Sequence, residues 1–105
     1  PVAVQIEYRI NAADVAEFVA AAQAMQRIRR RDGALSWGLF EDPDVAGRYV
    51  ETFVVESWGE HLRQHERGTA ADAPLFGRLR AFHRGDGPPR VTHLIAVRDS
   101  DDGVG

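Results

Sequence analysis

From Val2 to Ile10 the side chains alternate without a break, with Val2, Val4, Ile6, Tyr8 and Ile10 on one face and Ala3, Gln5, Glu7 and Arg9 on the other. A period of two is the signature of a strand that buries one face. The period then changes. Asn11 and Asp14 sit where an N-cap and an acidic first turn belong, and Val15, Phe18, Val19, Ala22, Met25 and Ile28 recur at steps of three and four. That spacing predicts a long amphipathic helix, which Asp32-Gly33 should close.

The two periods recur further along the chain. Leu35, Trp37 and Leu39 alternate with Ser36, Gly38 and Phe40; Tyr49, Glu51, Phe53 and Val55 alternate with Val50, Thr52 and Val54. Between them, Glu41-Asp42-Pro43-Asp44-Val45-Ala46-Gly47 has turn chemistry, so the pair reads as a hairpin. Ser57-Trp58-Gly59-Glu60 has capping-box spacing and should start a short helix to about Arg67. Thr69-Ala70-Ala71-Asp72 offers the same device before Leu75, Phe76, Leu79 and Phe82. Arg84-Gly85-Asp86-Gly87-Pro88-Pro89 cannot continue a helix, and Val91 to Val97 gives a last strand. The predicted order is β, α, β, β, α, α, β. This is an α+β ferredoxin-like arrangement with an antiparallel four-stranded sheet, one domain over residues 1–98 and a flexible acidic tail over 99–105.

At 105 residues, 44% hydrophobic and 28% charged, the chain is large and apolar enough to form a core without metal or disulfide. It has no cysteine, which removes thiolate chemistry and cysteine-ligated metal and fits a reducing compartment. A net charge of −3 offers phosphates no basic field, so nucleic acid is not an expected partner. The one cationic cluster, Arg27, Arg29, Arg30 and Arg31, falls at a helix end and is expected to complement its dipole. No apolar run approaches the roughly 20 residues that span a bilayer, and no signal peptide opens the chain. The expected location is the cytoplasm. The chain starts with Pro1 rather than Met, as a processed chain or a piece of a longer one would.

A four-stranded sheet with helices on one side leaves its other face uncovered. That face has to expose either the Trp37 and Phe53 set or the Val50, Val54 and Phe40 set, neither of which is polar. A second copy packed face to face would bury either one, so a homodimer, a dimeric α/β barrel, is expected.

His61 and His65 stand four apart on the second predicted helix, a spacing that puts two imidazoles on one face. Two ligands do not make a site, and a third would have to come from His83, His93 or a carboxylate, so no metal is expected. Trp58, at the mouth between strand and helix, can present a flat surface to an aromatic ligand. With Trp37, Phe53 and Tyr8 it outlines an apolar cavity between sheet and helices. Arg48, Arg63, Arg78 and Arg80 read as solvated charges.

The segment Val55-Glu56-Ser57-Trp58-Gly59-Glu60-His61-Leu62-Arg63-Gln64-His65-Glu66-Arg67 resembles the strand-to-helix signature of antibiotic-biosynthesis-monooxygenase-like domains, which are dimeric α/β barrels. Val4 to Ile10, Arg27 to Ala34, Trp37-Gly38-Leu39, Gly47 to Phe53 and Val91 to Ala96 resemble a narrower group. That group is the soluble C-terminal extension of bacterial major-facilitator exporters of the transmembrane secretion effector family. The resemblance implies a cytoplasmic domain fused to a membrane transporter of efflux type. In cofactor-free quinone-forming monooxygenases of this fold an asparagine stands four residues before the tryptophan that matches Trp58. Here that position is Val54, whose side chain offers no hydrogen bond. Haem-degrading relatives place a histidine on the helices that follow, and none stands between Gly68 and Phe82. No cofactor is expected.

Three readings follow from the sequence. The preferred one is a non-catalytic binding or regulatory module in which Trp58, His61, His65, Trp37 and Phe53 contact a small apolar or aromatic ligand. The second is a cofactor-free monooxygenase acting on aromatic polyketide-like substrates, with Asn11 or His65 replacing the missing asparagine. The third is a dimerisation module only. No catalytic residue is assigned.

Overall fold

The computed structural model describes residues 1–67 and 72–97, with residues 64–67 described by their backbone alone. Strand β1 (Val2–Arg9) leads through a 3-10 turn (Ala12–Asp14) into helix α1 (Val15–Arg31). Strands β2 (Ser36–Glu41) and β3 (Arg48–Val55) form the hairpin, α2 (Trp58–Arg67) and α3 (Ala73–Phe82) follow, and β4 (Arg90–Ile95) ends the sheet. The sheet order is β2-β3-β1-β4, with every neighbouring pair antiparallel. This is the predicted ferredoxin-like arrangement. β4 stops two residues short of the expected Val97, after which the Ala96 N–H donates to the Pro1 carbonyl (2.8 Å), where β1 itself runs out. The capping device at Thr69 to Ala71 and the tail from Asp99 lie outside the described residues.

Local chemistry sets the element ends. The Ala34 N–H donates to Arg29 O (2.9 Å) and the Gly33 N–H to Arg30 O (3.1 Å), a Schellman closure of α1 that puts Gly33 at φ 107°. Ser57 Oγ accepts from the Glu60 N–H (3.1 Å), so the predicted cap of α2 forms. Asn11 caps differently from the expectation. Its backbone carbonyl accepts from the Asp14 N–H (2.9 Å), and its side chain makes no cap bond, because a 3-10 turn intervenes before the helix.

The sheet carries its helices on the face of Val4, Tyr8, Tyr49 and Phe53. Phe18, Ala21, Ala22 and Met25 of α1, with Leu79 of α3, pack onto Tyr8, Ile10 and Tyr49. A second cluster joins Val2, Val4, Ala34, Phe53 and Val55. The face left uncovered is therefore the Val50, Val54 and Phe40 set, on which Phe40 and Leu94 are exposed. Register aligns Gly38, Thr52, Gln5 and Thr92 into one polar row across all four strands. Above it run Ser36, Val54, Ala3 and Leu94, and below it Phe40, Val50, Glu7 and Arg90. Arg48 is not a solvated strand-end charge: it pairs with Glu7 and with Asp42 (2.8 Å). The Arg48 hydrogen bond and the nearby cations hold the Glu7 carboxyl below its ordinary range.

Candidate functional site

Between the helix-bearing face and the three helices lies a cavity of about 760 Å³. Its floor is strand: Val4, Ile6 and Tyr8 from β1, Phe53 from β3, Val91 and His93 from β4. Its wall is α3, which turns Ala73, Phe76, Gly77 and Arg80 toward the space at the i, i+3, i+4, i+7 spacing of one helical face. Arg29 and Asp32 from the end of α1, His61 from α2, and Pro88-Pro89 complete it.

One side of this space is held by a buried charge. Glu51, 1% exposed, stands in the inward row of β3 between Leu39 and Ile6 on the neighbouring strands. It accepts from Arg29 Nε (3.0 Å) and Nη2 (3.3 Å), and from the Trp37 indole N–H (2.8 Å). A carboxylate in such a place needs a cation and full hydrogen bonding. The Arg29 guanidinium also lies over the rings of Phe53 (4.4 Å) and Phe76 (5.5 Å). The expectation that the arginine cluster serves the α1 dipole is thus corrected for two of its members: Arg29 turns into the core, and Arg31 pairs with Asp32 (2.9 Å) and Asp72 (2.7 Å). Opposite-charge partners within reach outweigh the weak pull of a helix end.

At the other side, His61 of α2 meets His93 of β4, their Nε2 atoms 3.1 Å apart. His61 is 5% exposed, and Trp58, 43% exposed, lies over the pair with ring centroids 5.5 Å from His61 and 5.2 Å from His93. The three rings close the gap between α2 and the edge strand. The sequence suggested His61 with His65; the fold brings His61 to a residue 32 positions away. His83 is elsewhere, its Nδ1 accepting from the Arg9 N–H (3.0 Å). Among the described residues no three histidine or carboxylate side chains gather where they could hold a metal ion.

Tyr8 joins His93 as a polar group of the floor. Burial and the Glu51 charge push its phenol up to about 12, against the opposing influence of Arg29 and Arg80, so the hydroxyl stays protonated at neutral pH. Asp32 is neutralised by Arg31 and Arg29 by Glu51.

Of the five side chains singled out in the sequence, Phe53 and His61 line the cavity. Trp37 is not among the lining residues and is bound to Glu51; Trp58 packs on the histidine pair; the side chain of His65 lies outside the described residues. Val54 occupies the opposite face of the sheet and does not approach the cavity. Sequence reasoning missed Glu51, Arg29 and His93. One signal was present: a glutamate in the same alternating row as Tyr49, Phe53 and Val55 has to find a cation inside the fold.

Solved structures with this architecture identify its class. The antibiotic biosynthesis monooxygenase of one crystal structure is 17% identical, with 92% of this chain and 99% of that chain covered and a TM-score of 0.74. SnoaB, a cofactor-independent oxygenase from Streptomyces nogalater, is 18% identical over 94% of this chain and 95% of that one, with a TM-score of 0.75. Rv0793 from Mycobacterium tuberculosis is 22% identical over 94% and 97%, at 0.72. At these identities the likeness establishes the fold, that of the antibiotic-biosynthesis-monooxygenase-like ferredoxin domains. The family is a narrower matter: the model of the transmembrane secretion effectors matches residues 1–101, and the chain belongs to that family. No curated protein matches it at a significant level. Among the described residues no helix is long and apolar enough to cross a membrane.

Proposed function

We propose that this domain is a non-catalytic module that binds a small aromatic compound in the cavity between its sheet and helices. In this reading it is the cytoplasmic part of a transport protein of efflux type, and it works as a homodimer through its open sheet face. The observation that carries the reading is the cavity itself. Its volume falls within the range of about 300 to 1,000 Å³ typical of small-molecule sites, and apolar and aromatic residues make up most of its lining. Val54 stands on the other side of the sheet, so nothing from that position can hydrogen-bond to a reacting phenolate. Phe40 and Leu94, exposed on the open face, are the side chains a second copy would cover.

Gly77 supplies the means of testing it. It lines the cavity in mid-α3, and a Cβ added there meets nothing within 4 Å, so a larger side chain can enter the space without disturbing the helix. Titration of the purified chain with 2-naphthoate and 2-naphthamide, followed by tryptophan fluorescence, should show saturable binding of at least one of them at one site per chain. Gly77→Leu should abolish that binding while the chain stays folded. Failure of both compounds to bind overturns the reading, as does oxygen uptake with an anthrone in the absence of added cofactor.

A further inference from the structure

Among the described residues the charges around the cavity do not balance. Arg29 is held by Glu51 in a two-point contact, and Asp32 is held by Arg31. Both are spoken for within the protein. Arg80 differs: its guanidinium makes no ion pair or hydrogen bond with any described residue, yet it lies on the cavity-facing stripe of α3, one turn beyond Phe76 and Gly77. Its neighbour Arg78, off that stripe, sits by the Phe82 ring (6.0 Å). Arg80 and Tyr8 line the same cavity, one from α3 and the other from β1. The cavity therefore presents a cation without a partner among the described residues, and a phenol hydroxyl, beside the apolar surfaces of Phe76 and Val91.

We propose that the ligand of this cavity is an aromatic acid, its ring lying against Phe76 beside Gly77 and its carboxylate on Arg80 and Tyr8. The assignment rests on the cavity being the ligand site, and it deepens that reading by giving the ligand a charge. An arginine fork matches a carboxylate at two points, which gives the contact direction as well as charge. The neutral carboxamide of the same shape retains the ring contacts and loses the charge-assisted bonds. Gly77 leaves room for the ring edge that any larger residue at that helical position would occupy.

The test compares 2-naphthoate with 2-naphthamide on the intact chain and on three variants. Naphthoate should bind about 10- to 100-fold more tightly than the amide, and Arg80→Gln should remove that difference while leaving amide affinity unchanged. Arg80→Lys should keep part of the preference, since it preserves the charge without the fork. Arg78→Gln, the control for general surface charge, should change neither affinity. Equal binding of acid and amide overturns the charge assignment and leaves the cavity reading standing. A preference for the acid that survives Arg80→Gln overturns the role of Arg80. Binding of neither compound overturns both.

Discussion

Replacing Glu51 by alanine tests whether the wall of the cavity depends on its buried ion pair. Three donors point at this carboxylate: Arg29 through two nitrogens at 3.0 and 3.3 Å and Trp37 at 2.8 Å. The Arg29 side chain is 17% exposed, so without its partner the guanidinium keeps its charge in a place water reaches poorly. Removing one member of a buried pair typically costs about 3 to 5 kcal/mol, much of it the penalty of the charge left behind. Against a total stability of about 5 to 15 kcal/mol this is a large fraction. With a urea m-value of about 1 to 1.5 kcal/mol per molar for a domain of this size, the unfolding midpoint should fall by roughly 2 to 5 M. Glu51→Gln keeps a carbonyl oxygen for one donor and should cost less, about 1.5 to 3 kcal/mol. The double variant Glu51→Leu with Arg29→Met removes both charges and should recover most of the loss, to within about 1 kcal/mol of the parent. Urea unfolding followed by far-ultraviolet circular dichroism measures all three. A midpoint shift below about 0.5 M for Glu51→Ala, or a double variant no better than the single one, would refute the argument that an uncompensated Arg29 is what destabilises the fold.

Two further predictions concern backbone and pH. Gly47 has φ 81°, and a Cβ there would stand 2.7 Å from the Ile10 carbonyl oxygen; Gly87 has the same φ and open space around it. Gly47→Ala should therefore cost about 2 to 3 kcal/mol and Gly87→Ala about 1 kcal/mol in the same unfolding assay, and equal costs would show that the contact with Ile10 is irrelevant. Both tyrosines ionise late in the folded chain, Tyr8 at about 12 and Tyr49 above its ordinary 10.0, because each is desolvated and faces a carboxylate. A raised folded value means that the unfolded chain loses its proton first. The stability linked to Tyr8 is accordingly complete below pH 10 and lost between about 10 and 12, and phenolate absorbance near 295 nm with a midpoint at 10 in the native protein would contradict it.

How much of this was legible beforehand varies from residue to residue. The alternation from Val2 to Ile10, the α1 stripe through Met25 and the Ser57 cap each specify an element, since each depends only on neighbours within one or two turns or a few residues of strand. The order of those elements leaves few ways to lay out a four-stranded sheet, and the ferredoxin-like layout follows. Phe53 was legible as a cavity residue because it shares an inward row with Tyr49 and Val55. His61 was noticed for its spacing from His65, yet its described partner is His93, which became a neighbour only when β4 paired beside β1 and α2 folded over that edge.

What the sequence by itself determined is periodicity, and hence which segments are strands or helices and which side chains share a face. Both faces of the hairpin strands carry large apolar groups, so the choice of the face that receives the helices was open until α1 and α3 packed against Tyr8 and Tyr49. That choice put Glu51 inside, drew Arg29 away from the helix end to meet it, and left Arg80 as the cavity cation without a partner among the described residues. Such pairings join positions far apart in the chain, and register and helix packing, not local propensity, bring them within bonding distance.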